Sequence, residues 1–215
     1  LDFGNGEWRK KRMNGEVTGV ILAGGKSRRF GSDKALTRVQ EHYLIEFPLK
    51  ILYKIFDEIL IVTSSVLLSP IKSALSRYKN LRIVTDIYPE HGALGGIYTA
   101  LLSSGTPYIF VTACDMPFLN SKFIKYMLSI IENEKGIEVI IPKSRGGYEA
   151  LHAIYNVAIK NIIKNNLVVN KNKIIDSIAN AHTYVIPYDD IKKFDKEERM
   201  FKNINTQQQL RKLLA

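Results

Sequence analysis

The feature that most restricts the fold is the alternation of short, β-branched apolar runs with longer stretches of helical periodicity. Val17 to Leu22, Glu58 to Thr63, Leu81 to Thr85 and Pro107 to Ala113 are apolar runs that end in small or polar residues, as buried strands do. Helical patterns fall at roughly residues 43 to 56, 69 to 79, 94 to 104 and 121 to 134. Strands joined through helices of this length run parallel, and the helices then cover both faces of the sheet. The expected fold is therefore α/β, a single-domain three-layer sandwich around a mostly parallel sheet with right-handed crossovers. Further strands are expected at Glu138 to Ile141, Ala150 to Tyr155 and Thr183 to Ile186, where the alternation is less regular and admits one antiparallel member. Thr206, with Gln209 three residues on, forms a capping-box pattern that starts a final helix through Leu214.

With 46% hydrophobic and 24% charged residues among 215, the chain can bury a substantial core and lies outside the range of disordered compositions. No repeat, linker or composition break divides residues 16 to 215, which are expected to form one domain. Residues 1 to 15, with Arg9-Lys10-Lys11-Arg12, read as an irregular basic extension, and the fold effectively starts near Met13. A secretory leader is rejected because the apolar stretch Val17 to Ala23 is short and runs into Gly24-Gly25-Lys26. No apolar run approaches the ~18 to 20 residues that span a bilayer. A lone cysteine, Cys114, excludes a disulfide framework, and the four histidines supply no metal-finger spacing. A reducing, cytoplasmic setting is expected. The net charge of +10 favours an anionic partner without choosing among nucleotide, nucleic acid and membrane surface.

In an open α/β sheet, ligands gather beyond the carboxyl ends of the strands. The first strand ends in Leu22-Ala23-Gly24-Gly25 and continues Lys26-Ser27-Arg28-Arg29-Phe30-Gly31-Ser32-Asp33-Lys34, a loop with three glycines and four cationic side chains. Glycines allow close backbone approach, so that successive N–H groups can cradle a polyphosphate while Lys and Arg supply full charges. The spacing is that of neither a Walker loop nor a dinucleotide fingerprint. Asp115, delivered by the run Ile109 to Ala113, is placed either to hold Mg²⁺ against substrate phosphates or to act as a turn residue before Pro117. Cys114 is read as core packing, since no paired base is visible. Asp86 closes another strand and is a second carboxylate for metal, base or ribose. Gly92, Gly95 and Gly96 then leave room either for a flat heterocycle or for close helix packing.

The segments LAGGKSRRFGSDKAL at 22 to 36, TDIYPEHGALGGIYTAL at 85 to 101 and CDMPFL at 114 to 119 resemble the molybdenum cofactor guanylyltransferase (molybdopterin-guanine dinucleotide biosynthesis protein A) family. EALHAIYN at 149 to 156 and FKNINTQQQL at 201 to 210 agree more weakly, so the resemblance covers nearly all of the chain after residue 16. It implies a nucleotide-diphospho-sugar-transferase-like, Rossmann-like fold and a reaction in which the phosphate of molybdopterin displaces pyrophosphate from GTP with Mg²⁺. By motif position, Leu22, Ala23, Gly24 and Gly25 form the guanine and phosphate cradle, Lys34 binds phosphate, Asp86 contacts the nucleotide and Asp115 is the magnesium ligand. Arg28 stands where a cation stabilises the departing pyrophosphate. His152, Asn203 and Asn205 are expected to line the acceptor side, or alternatively to be a neutral core histidine and helix-capping residues. Transient contact with cofactor-delivering proteins or molybdoenzymes is also expected. Ala-Gly-Gly in the first motif and Met116 favour GTP over CTP. The nearest alternatives are a cytidylyl- or sugar-phosphate nucleotidyltransferase of the same fold. A nucleic-acid-binding module is more remote, since no aromatic-basic RNA motif is present and Asp86 and Asp115 would repel phosphate without a metal.

Overall fold

The computed structural model describes residues 16–24, 34–206 and 209. The strands are β1 (Val17–Ala23), β2 (Arg38–Val39), β3 (His42–Tyr43), β4 (Ile59–Thr63), β5 (Leu81–Thr85), β6 (Tyr108–Ala113), β7 (Val139–Ser144), β8 (Gly147–Tyr148), β9 (His152–Asn156) and β10 (Thr183–Ile186). The α-helices are α1 (Glu46–Leu52), α2 (Ser65–Ala74), α3 (Gly92–Ser103), α4 (Ser121–Asn133), α5 (Lys160–Val168), α6 (Ile174–Ser177) and α7 (Tyr188–Ile191).

β1 is buried along its whole length and sits inside a sheet of order β10-β7-β9-β6-β1-β4-β5, with β8 paired to β7. It runs parallel to both β4 and β6, and β4 runs parallel to β5. The antiparallel member is β9, set against β6 and β7. Side chains alternate across the sheet with period two. Ile21, Ile61 and Phe110 pack with residues of α1, α2 and α4 on one face, while Val20, Leu22, Leu60 and Val111 pack with α3 and α5 on the other. Each such aliphatic side chain stabilises the fold by roughly 1.5–3 kcal/mol on burial, and the two cores make the three layers. Asn120 caps α4, its side chain accepting from the N–H groups of Lys122 and Phe123, a contribution of about 1 kcal/mol.

Several elements depart from the sequence reading. Residue 43, expected to begin a helix, instead joins residue 42 in pairing with 38 and 39 in a hairpin turned by Gln40 at a positive φ of 55°, so α1 is shorter than expected. Buried Glu46 anchors this hairpin, accepting from the Tyr43 N–H, the Tyr78 hydroxyl and Arg77. α2 begins at Ser65, straight after the extended Ser64, and carries Pro70 inside it, giving up one backbone hydrogen bond. α5 and α6 were not expected. α5 buries only Ile163 and Leu167, too sparse an apolar stripe to stand out in a Lys/Asn-rich stretch. Gln209 donates its N–H to the Thr206 hydroxyl at 3.1 Å, as the capping pattern requires, while the rest of the expected final helix and the basic extension 1–15 lie outside the described residues.

Candidate active site

From β1 the chain builds β4 and β5 on one side, then crosses through α3 to place β6 on the other. This reversal between β1 and β6 is where an open α/β sheet leaves a crevice at the carboxyl ends. Leu22, Ala23 and Gly24 close β1 there. The Leu22 carbonyl accepts from the Cys114 N–H at 3.0 Å, and the Ala23 carbonyl from the Thr63 hydroxyl at 3.1 Å. The ends of β1, β4 and β6 are thereby fixed to one another. Gly25 and Arg28 lie outside the described residues.

Lys34 starts a 3-10 turn, Lys34–Leu36, whose carbonyls are tied back to the following segment: Ile45 N–H to Ala35 O at 3.1 Å and Leu44 N–H to Thr37 O at 2.9 Å. Its ammonium forms an ion pair with Asp115 Oδ2 and donates to Asn205 Oδ1 at 2.9 Å. The Ile204 N–H donates to the Asp115 carbonyl at 2.9 Å, so the segment after the Arg199–Phe201 turn is fastened to the Asp115 backbone. Asp115 Oδ1 is buried and has no hydrogen-bond partner among the described residues. A buried carboxylate oxygen left without a donor is costly and suits a hard cation, which binds through one or two carboxylates and completes its shell with phosphate oxygens and water. Among the described residues no three His, Cys, Asp or Glu side chains gather as a preformed cation cage.

Asp86 is held as a turn. Its N–H donates to Thr63 O at 2.7 Å, and its Oδ1 accepts from the Tyr88 N–H at 3.0 Å and the Thr99 hydroxyl at 2.9 Å. Thr99, buried on α3, gave no sign of this role in sequence, since it reads as one more residue of an apolar helix. A Cβ on Gly95 would lie 2.1 Å from the Tyr88 carbonyl oxygen, so this glycine serves close helix packing. One on Gly96 would lie 3.2 Å from Leu22 and 3.7 Å from Asp86 Oδ2, which lets α3 approach the end of β1. Cys114 is buried, and burial, reinforced by Asp115, pushes its thiol up to about 12; it is packing, with no access to thiolate chemistry.

The proposed acceptor residues separate. His152 is completely buried in contact with the rings of Phe110, Phe123 and Phe201 at 5.1–5.7 Å between centroids. Neither of its ring nitrogens has a hydrogen-bond partner among the described residues, and burial pushes its pKa down to about 3. That is the neutral core histidine, not a wall of an open pocket. Asn203 is exposed. Asn205 is brought to Lys34.

A glycine-ended strand, a lysine and a strand-end aspartate at the β1–β6 switch point of a Rossmann-like α/β sheet fit a nucleotidyltransferase, and the family match over residues 19–183 gives that class. A molybdopterin-guanine dinucleotide biosynthesis protein A from Archaeoglobus fulgidus superposes with a TM-score of 0.75 at 26% identity, over 91% of this chain and 95% of that one. A 4-diphosphocytidyl-2C-methyl-D-erythritol synthase from Anaerococcus prevotii shares the fold, with a TM-score of 0.67 at 14% identity over 94% and 95%. The family model described as a MobA-like NTP transferase domain matches residues 19–183. A probable molybdenum cofactor guanylyltransferase of Natranaerobius thermophilus is 35% identical over 92% of this chain and 95% of its own length, and one of Clostridium perfringens strain 13 is 36% identical over 87% and 90%. The chain belongs to the molybdenum cofactor guanylyltransferase family. Among its described residues, no helix is long and apolar enough to cross a membrane.

Proposed function

We propose that this chain transfers the GMP moiety of GTP to the phosphate of molybdenum-bound molybdopterin, releasing pyrophosphate and forming the guanine dinucleotide cofactor. The observation that carries the reading to named residues is the meeting of the Lys34 ammonium with both Asp115 and Asn205, the second Asp115 oxygen having no donor among the described residues. Residues 16 to 215 are the catalytic unit and residues 1 to 15 a basic extension.

In this reading the end of β1 presents its backbone to the nucleotide, and Asp86, already fixed by Tyr88 and Thr99, bounds the base or ribose. An oxygen of the acceptor phosphate attacks the α-phosphorus of GTP in line. The bond from that phosphorus to the bridging oxygen breaks, and pyrophosphate carries the electron pair away. Lys34 turns from Asp115 to the phosphates, and Arg28 stabilises the charge that develops on the leaving group. Asp115 is the residue that would hold Mg²⁺, which when bound neutralises the triphosphate. Transient contacts with proteins that deliver or receive the cofactor belong to the same proposal. Membrane and nucleic acid are not among the partners it needs.

The test is a thermal-shift series with GTP, CTP, ATP and UTP, each with Mg²⁺. A ligand present at 100 times its dissociation constant adds ~2.7 kcal/mol to stability, so GTP is expected to stand out. Stabilisation by CTP in place of GTP would move the chain to the cytidylyl alternative, and stabilisation by none would refute nucleotidyl transfer here.

A further inference from the structure

The sheet order sets the ends of β5, β4, β1, β6 and β9 side by side. Asp86 follows β5 and Asp115 follows β6, while Glu149 precedes β9, whose antiparallel course brings its start to the same edge. The Glu149 N–H donates to the Pro142 carbonyl at 2.9 Å and the Glu149 carbonyl accepts from the His152 N–H at 2.9 Å, so Glu149 sits in the turn that enters β9, the strand paired with β6. Neighbouring strands lie ~5 Å apart, so Glu149 stands one strand beyond Asp115, on the flank away from Asp86.

Glu149 is half-buried, and its Oε1 accepts a hydrogen bond from the Ser144 hydroxyl at 2.5 Å. Among the described residues, no Lys, Arg or His forms an ion pair with it. Its neighbour Glu198, by contrast, is engaged by Arg145 at 3.1 Å. Burial pushes the Glu149 carboxyl pKa up, the Ser144 hydrogen bond opposes this, and Glu198 adds to the rise. A carboxylate kept partly out of water with one hydroxyl donor and no cation has unused acceptor capacity.

We propose that Glu149 reads the heterocycle of the acceptor, accepting two N–H donors from the 2-amino-4-oxopyrimidine edge that a pterin carries. The ring N–H and the exocyclic amino group of that edge lie side by side and match the two oxygens of a carboxylate. This deepens the guanylyl-transfer reading and rests on it: with the nucleoside on the Asp86 flank and the phosphates at Asp115, the acceptor enters along the Glu149 flank.

The test uses the full chain saturated with Mg²⁺ and a non-hydrolysable GTP analogue. Binding of free pterin, followed by its fluorescence, is compared with binding of lumazine, which carries an oxo group in place of the 2-amino donor. The wild type is expected to bind pterin about ten- to hundredfold more tightly than lumazine. In Glu149→Gln the preference disappears while stabilisation by GTP persists. Glu149→Asp, which keeps the charge, retains the preference and decides the matter with the wild type if the glutamine variant does not fold. Equal binding of both heterocycles by the wild type, no pterin binding, or an undiminished preference in folded Glu149→Gln overturns the proposal. So does a loss of GTP stabilisation in that variant, which would assign Glu149 to guanine. Absence of GTP stabilisation in the wild type would refute the guanylyl-transfer reading itself, a different result.

Discussion

Lys34 and Asn205 stand 171 positions apart in the chain and share a hydrogen bond of 2.9 Å. The same ammonium pairs with Asp115, and the Ile204 N–H is bonded to the Asp115 backbone, so residues 204 and 205 are both tied to the Lys34–Asp115 pair. An Asn205 confined to an acceptor pocket would leave GTP binding untouched. As a holder of Lys34, its replacement by alanine is expected to weaken GTP binding and transfer together, by about 0.5–1.5 kcal/mol each. Titration calorimetry with GTP, alongside pyrophosphate release, checks this. Loss of transfer at unchanged GTP affinity would return Asn205 to the acceptor side.

Asp115→Asn is expected to abolish turnover while circular dichroism and melting stay near wild type. The Oδ1 that has no partner among the described residues is the feature that suits a cation, and an amide there has neither the charge nor the full acceptor capacity. Near-normal pyrophosphate release by this variant at ordinary Mg²⁺ would remove Asp115 from the reaction.

Lys34→Ala is expected to weaken GTP binding by ~1–3 kcal/mol, the range for a lost charge-assisted hydrogen bond. It also removes the cation that pairs with Asp115 Oδ2. The nucleotide-free variant should therefore bind Mn²⁺ more tightly than the wild type, read by electron paramagnetic resonance. Unchanged GTP affinity would count against the phosphate role, and unchanged Mn²⁺ affinity against competition for Asp115.

His152 carries a pH signature. Its folded-state pKa is pushed down to about 3 by burial, whereas in the unfolded chain it titrates near ~6.5. Below that value the unfolded state binds a proton that the folded state refuses. The stability conferred by the neutral ring is therefore complete above the unfolded pKa and is lost as pH falls toward 3. His152→Phe, placing an apolar ring among Phe110, Phe123 and Phe201, is expected to be near wild type at alkaline pH and more stable by about 2 kcal/mol near pH ~5. Urea unfolding at both pH values tests it. Equal stability of the two proteins at the lower pH would show that His152 takes up a proton in the fold.

Gly95→Ala places a methyl group where the Tyr88 carbonyl oxygen now sits, 2.1 Å away. Relieving that overlap requires α3 or the turn after Asp86 to shift, at a cost of about 1–3 kcal/mol. The variant should melt lower and bind GTP less well, because the same turn holds the Asp86 side chain through the Tyr88 N–H. A wild-type melting temperature would show that the turn yields freely.

Much of this architecture was legible from local pattern alone. Short β-branched runs alternating with helical periods determine a parallel sheet, because such strands bury both faces and such connections are long enough to cross over. Once that is known, Ala23, Asp86 and Asp115 must fall at strand ends on one edge. What the pattern could not carry was any relation set by strand order or by the path of a distant segment. That β9 lies antiparallel beside β6, so that His152 sinks into an aromatic core while Glu149 sits in the turn that enters β9, depends on register. A shift of one residue would reverse the faces of β9. That Asn205 answers to Lys34 depends on where residues 201–205 pass over the finished sheet. Periodicity is a property of neighbours in sequence, whereas these contacts arise only when the folded layers bring separate strand ends together, and there the tertiary structure decided.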